Sequence, residues 1–236
     1  MSIFNPITVA CPNCDTDNEF DIFSSVNADR RPDLREAIIG GSFERVKCSN
    51  CGTDFRPEPN LNYLDSANGL WIMALPIDAL AHWKDEEAEA QASFDEAYGS
   101  GAPASAREIG DELTSRVTFG WPAFREKLII TQEKLDDLAV EKTKIAILSN
   151  KPGNPLRPGV ELRLLAVHDP VFHMGWVTVN TNEAVEVFEV QRALYAEIAG
   201  DAAWNEIGST ISSGMFVDIQ RMFILPQPKE PAEAAE

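Results

Sequence analysis

The chain's four cysteines stand in two pairs, Cys11-Pro12-Asn13-Cys14 and, after 33 intervening residues, Cys48-Ser49-Asn50-Cys51-Gly52. Two residues between thiolates let a tight turn aim both sulfurs at one point, with backbone N–H groups free to hydrogen-bond to them. Pro12 fixes its own φ and stiffens the first turn. Gly52 follows the second pair, where a positive φ is often required and glycine supplies it without strain. The matching residue after Cys14 is Asp15, which tolerates that conformation better than most. Four sulfur ligands in two pairs satisfy tetrahedral Zn²⁺ and leave it no open position. The spacing therefore predicts one structural zinc ion bound by Cys11, Cys14, Cys48 and Cys51.

Other thiol chemistries fit less well. A redox Cys-x-x-Cys places its first thiolate at a helix N-terminus. Here Asp15-Thr16-Asp17-Asn18-Glu19 follows, which is poor helix material and sets negative charge beside the sulfur. An iron–sulfur cluster also takes four thiolates. A disulfide scaffold would not confine its cysteines to the first 51 of 236 residues. A lobe of about eighty residues rarely has core enough to stand alone, and a structural zinc can contribute ~10–16 kcal/mol to such folds.

No catalytic residue is nominated elsewhere. His168 and His173 flank Asp169-Pro170, and with Asp169 they could form a second metal site or an active site. Histidines beside a tight turn are more often merely exposed. His82, next to Trp83, reads as a surface or packing residue. Asp136 and Asp137 face different sides of a helix and make no acid/base pair. There is no phosphate-cradling glycine loop, no His-Glu-x-x-His and no declared Ser/His/Asp set. Trp71, Trp83, Trp121, Trp176 and Trp204 read as core.

Composition narrows the partners. Apolar residues make up 44% and charged residues 25%, ordinary for a folded globular chain. With 20 Lys+Arg against 38 Asp+Glu the net charge is −18, which opposes binding to phosphate backbones. The excess is not a tail effect, since residues 1–80 alone carry 6 basic and 12 acidic side chains. It implies solubility, and a basic protein partner if there is one. No apolar run approaches the ~20 residues that span a bilayer, and Met1-Ser2-Ile3-Phe4-Asn5-Pro6 lacks the pattern of a secretory signal. The expected location is the cytoplasm.

The elements that must position the cysteines follow from periodicity and turn residues. Residues 3–9 and 19–23 read as strands around the first pair, and Phe43–Lys47 and Thr53–Arg56 as strands around the second. Arg31–Gly41 is a short helix with Pro32 in its first turn and Gly40-Gly41 as its stop. Leu61–Asp65 and Leu70–Leu75 form a hairpin ended by Pro76. Residues 77–98 form an acidic helix with Leu80, Trp83, Ala90, Phe94 and Tyr98 near one face. Gly99–Ser105 is a linker by composition. Arg116–Phe119 is extended, and a helical stretch runs from Gly120 to about Leu148 with a break near Thr131. After a loop at Lys151–Pro155 come three strands, Val160–Val167, Val171–Val179 and Ala184–Val190. A helix at Gln191–Ala199 and a last strand at Met215–Leu225 follow. Pro226–Glu236 reads as disordered. No internal repeat is apparent.

These residues resemble the CpXC-domain family of bacterial and archaeal proteins, named for two Cys-Pro-x-Cys motifs. Beyond the cysteines, the resemblance is carried by Ser25-Val26-Asn27-Ala28-Asp29, Pro32-Asp33-Leu34, Leu61-Asn62-Tyr63-Leu64-Asp65 and the apolar strand ending at Pro76. Arg116-Val117-Thr118-Phe119-Gly120, Arg125-Glu126-Lys127 and Leu135-Asp136-Asp137 extend it. Ser49 stands in place of the second motif's proline, and Asp15 in place of a glycine. The resemblance implies the four-cysteine site and brings no activity with it.

The sequence thus predicts an α+β protein. A zinc-ribbon-like β domain with an inserted short helix spans residues 1–80. An acidic helix and linker follow over 81–106, and then an α+β domain with a small antiparallel sheet over 107–225. The expected role is a zinc-binding protein-interaction module. The alternatives are an enzyme with its site in the C-terminal domain and a nucleic-acid-associated ribbon.

Overall fold

The computed structural model describes residues 2–150, 159–179 and 181–229. Strands β1 (Ile3–Ala10) and β2 (Asp17–Asn27) form an antiparallel hairpin whose turn is the first cysteine pair. Helix α1 (Pro32–Ile39) begins at Pro32, whose missing N–H breaks no bond in a first turn, and stops where Gly41 takes φ +74°. Strands β3 (Val46–Lys47) and β4 (Asp54–Phe55) are only two residues each and hold the second cysteine pair between them. Strands β5 (Leu61–Asp65) and β6 (Leu70–Leu75) make the next hairpin, closed by a 3₁₀ turn and Gly69 at φ +64°. A 3₁₀ segment (Ile77–His82) leads into α2 (Trp83–Tyr98), α3 (Ala104–Gly110) and β7 (Thr114–Phe119). Helices α4 (Gly120–Gln132) and α5 (Asp137–Asn150) follow, split near the expected Thr131. Strands β8 (Val160–His168), β9 (Val171–Thr178) and β10 (Ala184–Gln191) precede α6 (Arg192–Gly200), α7 (Asn205–Ile211) and α8 (Gln220–Phe223).

The chain is mixed α+β. A five-stranded sheet has the order β1-β2-β5-β6-β7, with β2/β5 and β6/β7 parallel and the other pairs antiparallel. The small antiparallel sheet is β10-β9-β8. The strands around the first cysteine pair are therefore not a free-standing ribbon but the margin of a larger sheet. β7 lies beyond the segment 81–106, yet it pairs with β6 from Leu70↔Thr114 to Leu75↔Phe119. Both sides of that segment thus build one sheet. β6 is buried on both faces. Leu70, Ile72 and Ala74 join Val26, Ile38, Tyr63, Trp121, Phe124 and Leu128 in one core. Trp71 and Leu75 join Trp83, Val117, Phe119 and Phe216 in another. Helix α4 is shared: Trp121, Phe124 and Leu128 enter the first core, and Ile129 and Ile130 pack with α5 and the β8–β10 sheet in a third.

Several expectations are corrected. Met215–Leu225 is not a strand. Met215–Ile219 is a buried irregular segment, bent at Met215 and Asp218 and helical by Ile219, and α8 follows it. Its polar backbone groups are satisfied largely by side chains: Glu87 accepts from Phe216 N (2.7 Å), Glu141 from Ile219 N (3.0 Å), and Lys127 donates to Val217 O (2.6 Å). Part of the composition-defined linker belongs to α3, which starts at Ala104. Within the tail, Gln227 N donates to Ala81 O, and Lys229 is bonded to Asp85 and Glu89, so the described residues 226–229 pack along the start of α2. The loop expected at Lys151–Pro155 and the tail beyond Lys229 lie outside the described residues. Trp204 is half-buried, and the other four tryptophans are core.

Candidate metal centre

The two cysteine turns meet face to face. Cys11 Sγ lies 3.6 Å from Cys51 Sγ, and Cys14 Sγ lies 3.7 Å from Cys48 Sγ. All four sulfurs fall within 4.8 Å of one another. No sulfur is in a disulfide. The set fits a single metal ion in both donor chemistry and spacing.

The two turns are near-copies. Cys11-Pro12-Asn13-Cys14-Asp15-Thr16 and Cys48-Ser49-Asn50-Cys51-Gly52-Thr53 share cysteine, asparagine and threonine positions. Cys11 N donates to Thr16 O and Cys48 N to Thr53 O, both at 2.9 Å. Asp15 N donates to Cys11 O at 2.9 Å and Gly52 N to Cys48 O at 3.0 Å. Asp15 and Gly52 both take positive φ, +53° and +71°. Asn13 reaches across to Cys51 Sγ, and Asn50 reaches back to Cys14 Sγ, each at 3.7 Å. The six-residue repeat is visible in the sequence once the turns are aligned, and it escapes a search confined to the cysteines.

Asn18 locks the two halves together from a nearly fully buried position. Its Nδ2 donates to Thr16 O (2.7 Å) and Cys48 Sγ (3.6 Å). Its Oδ1 accepts from Ser49 N and Ser49 Oγ, both at 2.8 Å. Ser49 is the residue that departs from the family motif, and here its hydroxyl and amide both serve this lock. Donors crowd the sulfurs. The Thr53 hydroxyl and amide, with Asn13, draw Cys51 down to about 5, and the Cys51 amide lowers Cys48. Burial pushes Cys11 up to about 11. A cation among the sulfurs overrides that burial cost and favours the thiolate.

A second convergence was not foreseen. Oxygens of Glu126 (α4), Glu141 (α5) and Asp218 lie within 4.8 Å of one another, all buried. Their cations are already present. Lys144 Nζ donates to Glu126 (2.7 Å) and Glu141 (2.8 Å), and Arg163 Nη1 donates to Glu126 (2.9 Å) and Asp218 (2.5 Å). Arg163 also grips Glu161 through Nε and Nη2. Burial alone would raise every one of these carboxyls. Lys144 and Arg163 outweigh it at Glu126, and Arg163 and Lys144 bring Asp218 to about 2. At Glu141 burial wins and pushes it up to about 7. The ammonium of Lys144 occupies the place a metal ion would take, so this cluster is an internal ionic network. Charged residues on α4, α5 and β8 look in sequence like solvated faces, because nothing local reveals that both sides of these elements are covered.

The histidines do not assemble a site. His168 is exposed and His173 half-buried, with ring centroids 4.9 Å apart. The Asp169 carboxylate is turned to Arg192. Among the described residues no third histidine, cysteine or carboxylate joins the pair. His82 Nδ1 lies 2.9 Å from Gln227 O and donates to it. Asp136 Oδ1 accepts from Ala139 N (2.7 Å) and caps α5, while Asp137 pairs with Arg116 and Lys127. The two aspartates have separate structural tasks.

Fold and site together define a mixed α+β protein with a four-cysteine centre clasped by two matching turns. The model of the family described as CpXC protein matches residues 9–144, and the chain belongs to that family. The match spans both cysteine turns, continues through β7 and α4, and ends within α5. No curated protein and no solved structure matches the chain. Among the described residues no helix is long and apolar enough to cross a membrane.

Proposed function

We propose that Cys11, Cys14, Cys48 and Cys51 hold one structural zinc ion, and that the protein is a zinc-tied module for binding another protein. The observation that carries the zinc assignment is the sulfur spacing. A regular tetrahedron with Zn–S near 2.3 Å has S···S edges of about 3.8 Å, against 3.6 and 3.7 Å here. Neither turn opens a helix, as a redox pair would require. Four sulfurs leave the ion no free position, so its task is to fasten β1–β2 to β3–β4.

Support for the interaction role lies on β1, an edge strand that carries the first turn. Ile3, Phe4 and Ile7 are 50%, 58% and 37% exposed on it. Pro6 sits on the same strand, consistent with an edge position where a missing N–H is tolerated. The neighbouring strand presents Asp17, Glu19 and Asp21, all exposed. An exposed apolar edge beside a carboxylate row suits an extended basic segment added as a further strand. The same row opposes a phosphate backbone. We place the protein in the cytoplasm, where such thiols stay reduced.

The test is a pull-down from native lysate with salt steps, using wild type and Phe4→Ser. The proposal expects a specific partner retained at low salt, released as salt rises and lost in Phe4→Ser. No partner at low salt, or equal capture by the variant, counts against it.

A further inference from the structure

A cavity of about 540 Å³ opens between the 3₁₀ segment, the start of β8 and helix α8. That volume lies within the ~300–1,000 Å³ usual for small-molecule sites. Its walls are mainly aliphatic. Ile77 and Leu80 come from the 3₁₀ segment, Val160 and Leu162 from β8, and Ile219 and Ile224 from either end of α8. Phe223 also lines the cavity and is 55% exposed, and its neighbours Met222 and Leu225 are exposed as well. A pocket continued by an exposed apolar cluster is a binding surface in kind.

The cavity also has a charged end. Glu161, Arg163 and Asp218, all nearly fully buried, line it together with Gln220. Two carboxylates there share one guanidinium. Arg163 Nε and Nη2 donate to Glu161 Oε2 (2.8 and 2.6 Å), while its Nη1 serves both Asp218 and Glu126. Among the described residues neither Glu161 nor Asp218 has another ion-pair partner. Asp218 Oδ1 accepts from Gln220 N (2.9 Å). Glu161 Oε1 accepts only from the Gln220 side-chain amide, which leaves it a lone pair. A further carboxylate, Glu58, is bonded to the wall residue Ile77 through its N–H (3.2 Å). Burial pushes Glu161 up despite Arg163, with the charge of Asp218 adding to the rise, and burial raises Glu58 too. This end of the cavity is short of positive charge. A neutral apolar occupant would seal Glu161 from water with its charge unbalanced, and an anion would be repelled.

We propose that this cavity binds a small amphiphilic cation, a primary ammonium on a hydrocarbon body. The ammonium meets Glu161, and the hydrocarbon lies along the aliphatic walls toward Phe223. The site shares no residue with the cysteine centre or the β1 edge and depends on neither.

The test is isothermal titration of the full chain at physiological salt with three probes of equal length: octylammonium, octanol and octanoate. Octylammonium is expected to bind one per chain, at least about tenfold tighter than octanol, and octanoate not at all. Phe223→Ala trims an exposed wall residue and should weaken octylammonium and octanol alike, by roughly three- to tenfold. Glu161→Gln keeps the shape and removes the charge, and should bring octylammonium down to the level of octanol. If that variant fails to fold, the probe series and Phe223→Ala remain decisive. Absence of saturable octylammonium binding overturns the proposal. So does equal binding of octylammonium and octanol by the wild type, or octylammonium binding undiminished in Phe223→Ala.

Discussion

Replacing Lys144 with methionine tests the internal ionic network and the reason it is there. The ammonium is fully buried and lies 2.7 Å from Glu126 and 2.8 Å from Glu141. The two carboxylates lose unequally. Glu126 keeps Arg163 at 2.9 Å and the Leu164 amide at 2.6 Å. Glu141 keeps only the Ile219 amide at 3.0 Å, with Lys127 more distant at 3.8 Å. Removing one partner of a buried pair costs about 3–5 kcal/mol, or a Tm drop of roughly 6–20 °C for a chain of this size. The loss must depend on pH. Burial already holds Glu141 at about 7, above the 4.5 of an unperturbed glutamate. A carboxyl raised in the folded state binds more protons there than in the unfolded chain, so stability falls as pH rises through that interval. Without Lys144 the folded value climbs further, and the fall continues to higher pH. Urea denaturation of wild type and Lys144→Met at pH 6 and pH 8 should show the larger difference at pH 8. Adding Glu141→Gln should recover much of it. A loss below about 1 kcal/mol, or one equal at both pH values, would refute the idea that Lys144 supplies the charge this site needs.

Other outcomes follow from the same geometry. Asn18→Ala removes four hydrogen bonds that tie the cysteine turns together, and competition with a chromogenic chelator should find metal affinity about 10–100-fold weaker. Stripping the metal should abolish amide-exchange protection in residues 3–27 and 46–55 while leaving the β8–β10 sheet protected, because only the former are clasped by the cysteines. Wild-type stability, followed by denaturant midpoint with metal saturating, should decline from pH 5.5 to 7. Glu44 and Glu141 both sit at about 7 through burial and must ionise on unfolding. A flat or rising profile over that range would show that these two carboxyls are not raised.

Much of the fold is local enough to be read from sequence. Pro32 and Gly40-Gly41 bracket α1, Gly69 marks the β5–β6 turn, and alternation in 160–190 marks β8 to β10. The cysteine pairing is legible because its spacing is itself the chemistry. What stays hidden depends on distant covering. Met215-Phe216-Val217-Asp218-Ile219 is apolar and β-branched enough to suggest a strand. It lies instead as a buried irregular segment, whose backbone is met by Glu87, Glu141 and Lys127 from helices far along the chain. Glu161 and Arg163 alternate with Leu162 and Leu164 as solvent-facing residues would, yet both faces of β8 are covered. The Gly99–Ser105 segment looks like a boundary by composition. Composition does not reveal that β7 returns to pair with β6.

The central claim is a sulfur-only zinc cage joining two matching turns. Elemental analysis and X-ray absorption at the zinc edge, on untagged protein never exposed to added metal, test it most directly. The account predicts one zinc per chain with four sulfur neighbours near ~2.3 Å and no nitrogen or oxygen in the shell. Substoichiometric zinc with all four thiols open to alkylation in the native protein would contradict it, as would a shell containing lighter ligands.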